Sequence, residues 1–141
     1  TASFELDMSP DDALPLFTAL GEKLWVPEWE PEILKGDGYE KGTVWQTTNH
    51  QDVTTWVVLD YNTKTHHALY ARVTPNYDIG TVDVSLKPNN TDGTIVTVSY
   101  ELTALGHQRN QDLAKWNNTE YAKMMQEWRS MIINAQDKIN E

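Results

Sequence analysis

Residues 43–103 read TVWQTTNHQDVTTWVVLDYNTKTHHALYARVTPNYDIGTVDVSLKPNNTDGTIVTVSYELT, and the alternation within this stretch decides the fold. In segments 43–48, 53–61, 66–74, 79–87 and 94–103, Val, Thr, Trp and Tyr recur with a period of two, as half-buried strands require. Between them stand Asn49-His50-Gln51-Asp52, Asn62-Thr63-Lys64-Thr65, Pro75-Asn76-Tyr77-Asp78 and Pro88-Asn89-Asn90-Thr91-Asp92-Gly93, all rich in turn formers. Connections this short admit only antiparallel neighbours, so the segments predict a five-strand meander.

Loop parity predicts a register. A hairpin loop of even length pairs an even-numbered position with an odd-numbered one, which sets Trp45 against Trp56. Carried forward, the same parity places Trp56 and Val58 on one face with Leu69, Ala71 and Val73, and these with Val82, Val84 and Leu86. The apolar side of the last segment, Val96, Val98, Tyr100 and Leu102, joins them through one bulge or an odd loop. The opposite face is then expected to hold Asp83, Ser85, Thr97, Ser99 and Glu101, with Tyr70 and Arg72 beside Val57 and Leu59.

Before the meander, residues 2–8 suit a short strand, and Ser9-Pro10-Asp11-Asp12 supplies an N-cap, a first-turn proline and first-turn acids. Ala13, Leu14, Phe17, Leu20 and Leu24 then predict one buried helical stripe, with Pro15 tolerated in the first turn. Trp25-Val26-Pro27-Glu28-Trp29-Glu30-Pro31 cannot continue that helix and reads as a bend carrying two indoles, closed by Asp37-Gly38. After the meander, residues 107–116 are polar around Leu113 and Trp116, and Asn117-Asn118-Thr119-Glu120 opens a long helix. Its apolar stripe is Tyr121, Met124, Met125, Trp128, Ile132, Ala135 and Ile139. This order predicts an α+β domain in which a curved antiparallel sheet wraps a long C-terminal helix.

Composition narrows the partners. At 141 residues the chain is expected to form one domain, residues 1–141, and 39% hydrophobic residues with 7 Gly and 6 Pro describe a packed core. Eleven Lys+Arg against 21 Asp+Glu give a net charge of −10, which repels phosphate backbones and anionic lipid, so nucleic acid is not an expected partner. Cysteine is absent, which excludes disulfides and thiolate chemistry. No segment has the ~18 consecutive apolar residues of a membrane span, and the opening TASFELDMSPDD has no signal-peptide pattern, so a cytoplasmic protein without membrane insertion is expected.

Several ordered patterns resemble one family. They are Trp25-x-x-x-Trp29-x-Pro31, Lys41-Gly42-Thr43-Val44-Trp45, Tyr70-x-Arg72-Val73-x-Pro75, Val82-x-Val84, Tyr100-x-x-Thr103-x-Leu105 and Tyr121-x-x-Met124-Met125-x-x-Trp128-x-x-x-Ile132. Together they span nearly the whole chain and are similar to the START-like, or SRPBCC, superfamily, in its polyketide cyclase/dehydrase-like and Hsp90-ATPase-activator-like branch. The resemblance implies a helix-grip fold with a cavity for an apolar small molecule between sheet and C-terminal helix. It implies no single reaction, because such a fold carries binders, cyclases and chaperone cofactors alike.

On this reading a hydrophobic or aromatic small molecule is the expected ligand. The expected lining is Trp29, Trp45, Trp56, Val58, Leu69, Ala71, Val84, Val98, Tyr100, Met124, Met125 and Trp128, which would otherwise fill a solid core. No cofactor or metal is expected: His50, His66, His67 and His107 have no ligand spacing, and adjacent strand residues such as His66 and His67 face opposite ways. Neither a nucleophile elbow nor a phosphate loop occurs. Two alternatives remain open. One is a cyclase/dehydratase-like enzyme using Asp60, His67 and Tyr100 on the inner face as acid–base groups. The other is a chaperone-cofactor-like interaction module or a homodimer formed through an outer face exposing Val57, Leu59 and Tyr70. Arg72 would anchor a ligand carboxylate only if the register slipped by one residue.

Overall fold

The structure is a computed structural model that describes residues 2–26, 29–49, 52–114 and 118–135. Expectations placed on Pro27, Glu28, His50, Gln51, Trp116, Asn117 and Ile139 lie outside those residues. The meander is present as β3 (Val44–Asn49), β4 (Asp52–Asn62), β5 (His67–Thr74), β6 (Asp78–Pro88) and β7 (Thr94–Ala104). β1 (Ala2–Leu6) pairs with β7, and a strand the sequence reading missed, β2 (Glu32–Lys35), pairs with β3. The result is one antiparallel sheet of seven strands in the order β1-β7-β6-β5-β4-β3-β2.

Its register departs from the parity prediction in one strand. Trp45 pairs with Trp56 as expected, but β4 carries a bulge between Val58 and Asp60 that leaves Leu59 without a partner. Beyond it the parity inverts: Trp56 pairs with Arg72 and Val58 with Tyr70. The turn Pro75–Tyr77 is odd, closed by the Tyr77 N–H donating to Thr74 O at 3.0 Å with Asn76 at φ 63°, and it restores the parity of β6. Two changes of parity therefore cancel everywhere except in β5. Tyr70, Arg72 and Ala68 turn inward, whereas Leu69, Ala71 and Val73, expected inside, line the outer face. Tyr70 is 4% exposed, so the outer surface lacks the tyrosine assigned to it. The odd loop allowed for the last strand is the Asn89–Gly93 turn, which brings Val84 against Val98 and Val82 against Tyr100.

The expected first helix is broken into short turns. Ser9 caps α1 (Pro10–Ala13) by accepting from the Asp12 N–H at 3.2 Å, and the chain then tightens into a 3-10 turn over Leu14–Phe17. At Thr18 the backbone extends (φ −101°, ψ 168°), because its hydroxyl donates to Pro15 O at 2.7 Å and accepts from the Gly21 N–H at 3.0 Å. A second 3-10 turn, Gly21–Leu24, follows so closely that a β-carbon on Gly21 would lie 1.8 Å from Pro15 O. Leu24 accordingly stands 39% exposed and leaves the stripe predicted for it.

Two helices follow the sheet. The polar segment after Gly106 is helical, α2 (His107–Ala114), although its sequence has no apolar stripe; Arg109 docks it by donating from Nε to the buried Asp78 at 2.8 Å. The long helix α3 (Asn118–Asn134) buries Tyr121, Met125 and Ile132, and the Tyr121 hydroxyl donates to Val98 O at 2.6 Å. Among the described residues no helix is long and apolar enough to cross a membrane.

Face assignment on α3 can be checked directly. Ile132 is fully buried and Ile133 is 42% exposed. Ile132→Ala should lower unfolding free energy by about 2–5 kcal/mol and Ile133→Ala by less than about 1 kcal/mol, read as urea midpoints at constant slope. Equal losses would contradict the placement of the helix.

Candidate functional site

The inner face of the sheet carries an aromatic wall built by strand pairing. Because Trp45 and Trp56 stand opposite each other, their indoles stack with centroids 5.7 Å apart and planes within 2°. Arg72, opposite Trp56 on the next strand, lays its guanidinium 5.0 Å from the Trp56 ring centroid. Tyr70 meets Trp45 edge-on at 5.7 Å and donates its hydroxyl to Phe17 O at 2.7 Å, tying the 3-10 segment to the sheet. Trp29 meets Trp56 edge-on at 6.3 Å and donates its indole N–H to Ala19 O at 2.7 Å, so the bend reaches over the same wall. From the other side, Trp128 of α3 contacts Tyr100, Phe17 and Trp25, with centroids 5.6–6.4 Å apart.

Of the residues expected to line a cavity, Trp45, Val58, Val84, Val98 and Met125 are buried at 0–2% exposure. Trp29, Trp56, Tyr100, Met124 and Trp128 face the same interior yet remain only half-buried. Leu69 and Ala71 do not join them, for the bulge puts both on the outer face. Asp60 and His67 are displaced with them: His67 pairs with Asn62 and Ser85 on the outside of the sheet, not on the inner rim. There its Nε2 lies 3.0 Å from Asp83 and its Nδ1 3.5 Å from Asp60, and the Asp83 hydrogen bond is the main cause of a raised imidazole pKa. Of the acid–base groups expected inside, Tyr100 alone stays there.

The inner face has gained polar groups in exchange. Arg72, moved inward, shares the fully buried Asp78 with Arg109, at 3.4 Å from Nη2 against 2.8 Å for the competitor. Its Nε is buried with no hydrogen-bond partner among the described residues, as is the Trp45 indole N–H. Orphan donors of this kind cost about 1–3 kcal/mol each, far above the usual loss in a folded core.

Glu22, which the sequence reading passed over, is the second addition. It sits in the 3-10 turn Gly21–Leu24, half-buried, and while its backbone bonds to Thr18, Trp25 and Val26, its carboxyl makes no hydrogen bond or ion pair with any described residue. Burial pushes its carboxyl up to about 8. Its charge would reach the Tyr70 and Tyr100 hydroxyls, both held well above the usual phenol range, first by burial and then by Glu22; Arg72 pulls Tyr100 the other way. Nothing in the sequence signals this burial: Glu22 stands beside Lys23 in Leu20-Gly21-Glu22-Lys23-Leu24-Trp25, as an ordinary exposed acid would. Among the described residues no cluster of His, Asp and Glu is arranged to hold a metal.

By sequence, no family model and no curated protein matches the chain. By structure, it is similar to norcoclaurine synthase from Thalictrum flavum, at TM-score 0.66 and 14% identity over 93% of this chain and 83% of that one. It is also similar to major latex-like protein 151 from Panax ginseng (TM-score 0.64, 12% identity, 92% and 95% covered). CalU16 from Micromonospora echinospora is a further likeness (0.58, 15%, 98% and 81%). What the chain shares with these structures is the helix-grip α+β fold, a curved antiparallel sheet around a C-terminal helix. At these identities the likeness is one of fold.

Glu22 gives the site a pH signature. Its native pKa of about 8 lies above its ordinary 4.5, so the folded state holds the proton more tightly. The contribution of this group to stability is full below about pH 4.5 and is lost as pH rises through about 8. Glu22→Gln removes that loss. Urea unfolding at pH 5, 6.5 and 8 should show the variant gaining on the parent by up to about 1.4 kcal/mol per pH unit, whereas parallel curves would show an ordinary carboxylate.

Proposed function

We propose that the chain is a single ligand-binding domain whose space between the sheet and α3 takes a small molecule with an aromatic or extended apolar body and acceptor oxygens. The apolar body would lie against the half-buried surfaces of Trp56, Tyr100, Met124 and Trp128. The observation that carries the reading is the pair of buried donors without partners, Trp45 Nε1 and Arg72 Nε, in that same wall. A ligand oxygen that accepted from them would recover the free energy of their missing hydrogen bonds, and the flanking methionine and indole surfaces supply burial.

Binding is favoured over acid–base catalysis of the kind first considered, because Asp60 and His67 stand on the opposite side of the sheet from that wall. Arg72 takes the role reserved for it under a shifted register: its charge is only partly neutralised by Asp78, and its stacking on Trp56 fixes the guanidinium plane.

A fluorescent probe with both chemical features tests this. 8-Anilinonaphthalene-1-sulfonate at pH 7 should bind with one-to-one stoichiometry and quench tryptophan emission. Arg72→Met, which keeps the side-chain volume and removes the donors, should weaken it about tenfold, the effect of one charge-assisted hydrogen bond. Absence of saturable binding, or equal affinity in parent and variant, would contradict the reading.

A further inference from the structure

β1 is an edge of the sheet, and the ladder shows which of its backbone groups it leaves unpaired. At the β6–β7 turn the Asn89 N–H donates to Gly93 O at 3.1 Å, which fixes the alternation along β7. Its odd positions Ile95 and Thr97 bond to β6, and its even positions Thr94, Val96 and Val98 bond to Leu6, Phe4 and Ala2 of β1. Ser3 and Glu5 therefore turn their N–H and C=O groups to the open edge. The Glu5 carbonyl agrees with this, for it accepts from Arg129 Nε of α3 at 3.0 Å. The Ser3 N–H, the Ser3 C=O and the Glu5 N–H bond to no other described residue.

That edge and α3 bound a groove of about 620 Å³, lined by Ser3, Phe4, Glu5, Ile95, Gln126 and Arg129. Its volume lies in the range of sites for small ligands and short chain segments. Arg129 is half-buried and uses Nε alone on Glu5, so its two Nη groups, like the Gln126 amide, have no partner among the described residues. The one carboxylate of the lining, that of Glu5, is engaged by Asn89 Nδ2 at 3.3 Å, on the side of the β6–β7 turn.

We infer that this groove binds the carboxyl-terminal end of an extended peptide, which adds to β1 as a parallel strand and presents its terminal carboxylate to Arg129. Backbone donors and acceptors spaced along a strand edge fit an extended chain and not a compact ligand. The polarity of that chain follows from Arg129. An added strand stops at Glu5, whose carbonyl is already taken, and the cation standing there suits a carboxylate and repels an amino terminus. A chain ending with its carboxylate at Glu5 runs in the same direction as β1. In parallel pairing the third residue from the peptide end then accepts from the Ser3 N–H, and the last residue donates to the Ser3 C=O. The terminal carboxylate accepts from the Glu5 N–H and the Arg129 Nη groups. An apolar side chain of the peptide would meet Ile95, which is 37% exposed. The groove shares no residue with the wall proposed to bind a small molecule, so the two proposals stand separately.

Calorimetry with the peptide acetyl-Ala-Val-Thr-Val, as free acid and as carboxamide, tests this, and a nitrogen–proton correlation spectrum locates the contact. The free acid should bind and shift the Ser3 and Glu5 amide signals. The carboxamide should bind about tenfold more weakly, the effect of one charge-assisted hydrogen bond. Arg129→Gln should bring the acid down to the affinity of the carboxamide. Ser3→Pro removes an outward N–H and leaves the bonds to β7 in place, so it should keep the parent's circular dichroism and lose the peptide. Failure of the free acid to bind, equal affinity for acid and carboxamide, or shifts confined to residues outside the groove would overturn the proposal. So would undiminished binding by a folded Ser3→Pro or by Arg129→Gln.

Discussion

One unpaired residue in β4 governs the chemistry of the interior. The bulge at Leu59 exchanges the faces of β5, and β5 is the strand that carries both Tyr70 and Arg72. With regular pairing, Leu69, Ala71 and Val73 would have filled the inner face with aliphatic carbon, and the guanidinium would have faced the outside. As it stands, Arg72 covers Trp56, Tyr70 anchors the 3-10 segment through Phe17, and that anchor holds the turn presenting Glu22. The bulge, the aromatic wall and its polar groups form one construction.

The sheet could be read from sequence because its signals are local. Strand positions follow from alternation, the Trp45–Trp56 pair from loop parity, and the α3 stripe from helical spacing. The bulge could not be read. Trp56-Val57-Val58-Leu59 is apolar on both faces, and Ala68-Leu69-Tyr70-Ala71 is nearly so; either parity buries hydrophobic carbon, and nothing in composition chooses between them. The four-residue β2 was missed because an edge strand so short shows no period. α2 was missed because it is held by tertiary contact, Arg109 on Asp78, and not by an apolar face of its own. The first helix was not kept as one, since Pro15 and the Thr18 hydroxyl divert its hydrogen bonds, yet Ala13, Leu14 and Phe17 of its stripe stay buried while Leu24 leaves it.

The interior was legible in its hydrophobic half and hidden in its polar half. Tryptophans and methionines announce themselves by type, and ten of the twelve expected lining residues face the interior. Glu22 and Arg72 are ordinary surface types in sequence, and only their place in space makes them unusual. Interiors tolerate such groups when something satisfies them, and for Arg72 that is in part Asp78.

Ligand binding as proposed requires accessible apolar space between sheet and α3 beside the inward-facing Arg72. Diffraction from crystals under xenon pressure tests both parts at once, since xenon enters empty apolar cavities. Xenon should appear among Trp56, Tyr100, Met124 and Trp128, with the Arg72 guanidinium against Trp56. Closely meshed layers without xenon, or a regular β4 with Arg72 in solvent, would contradict the proposal.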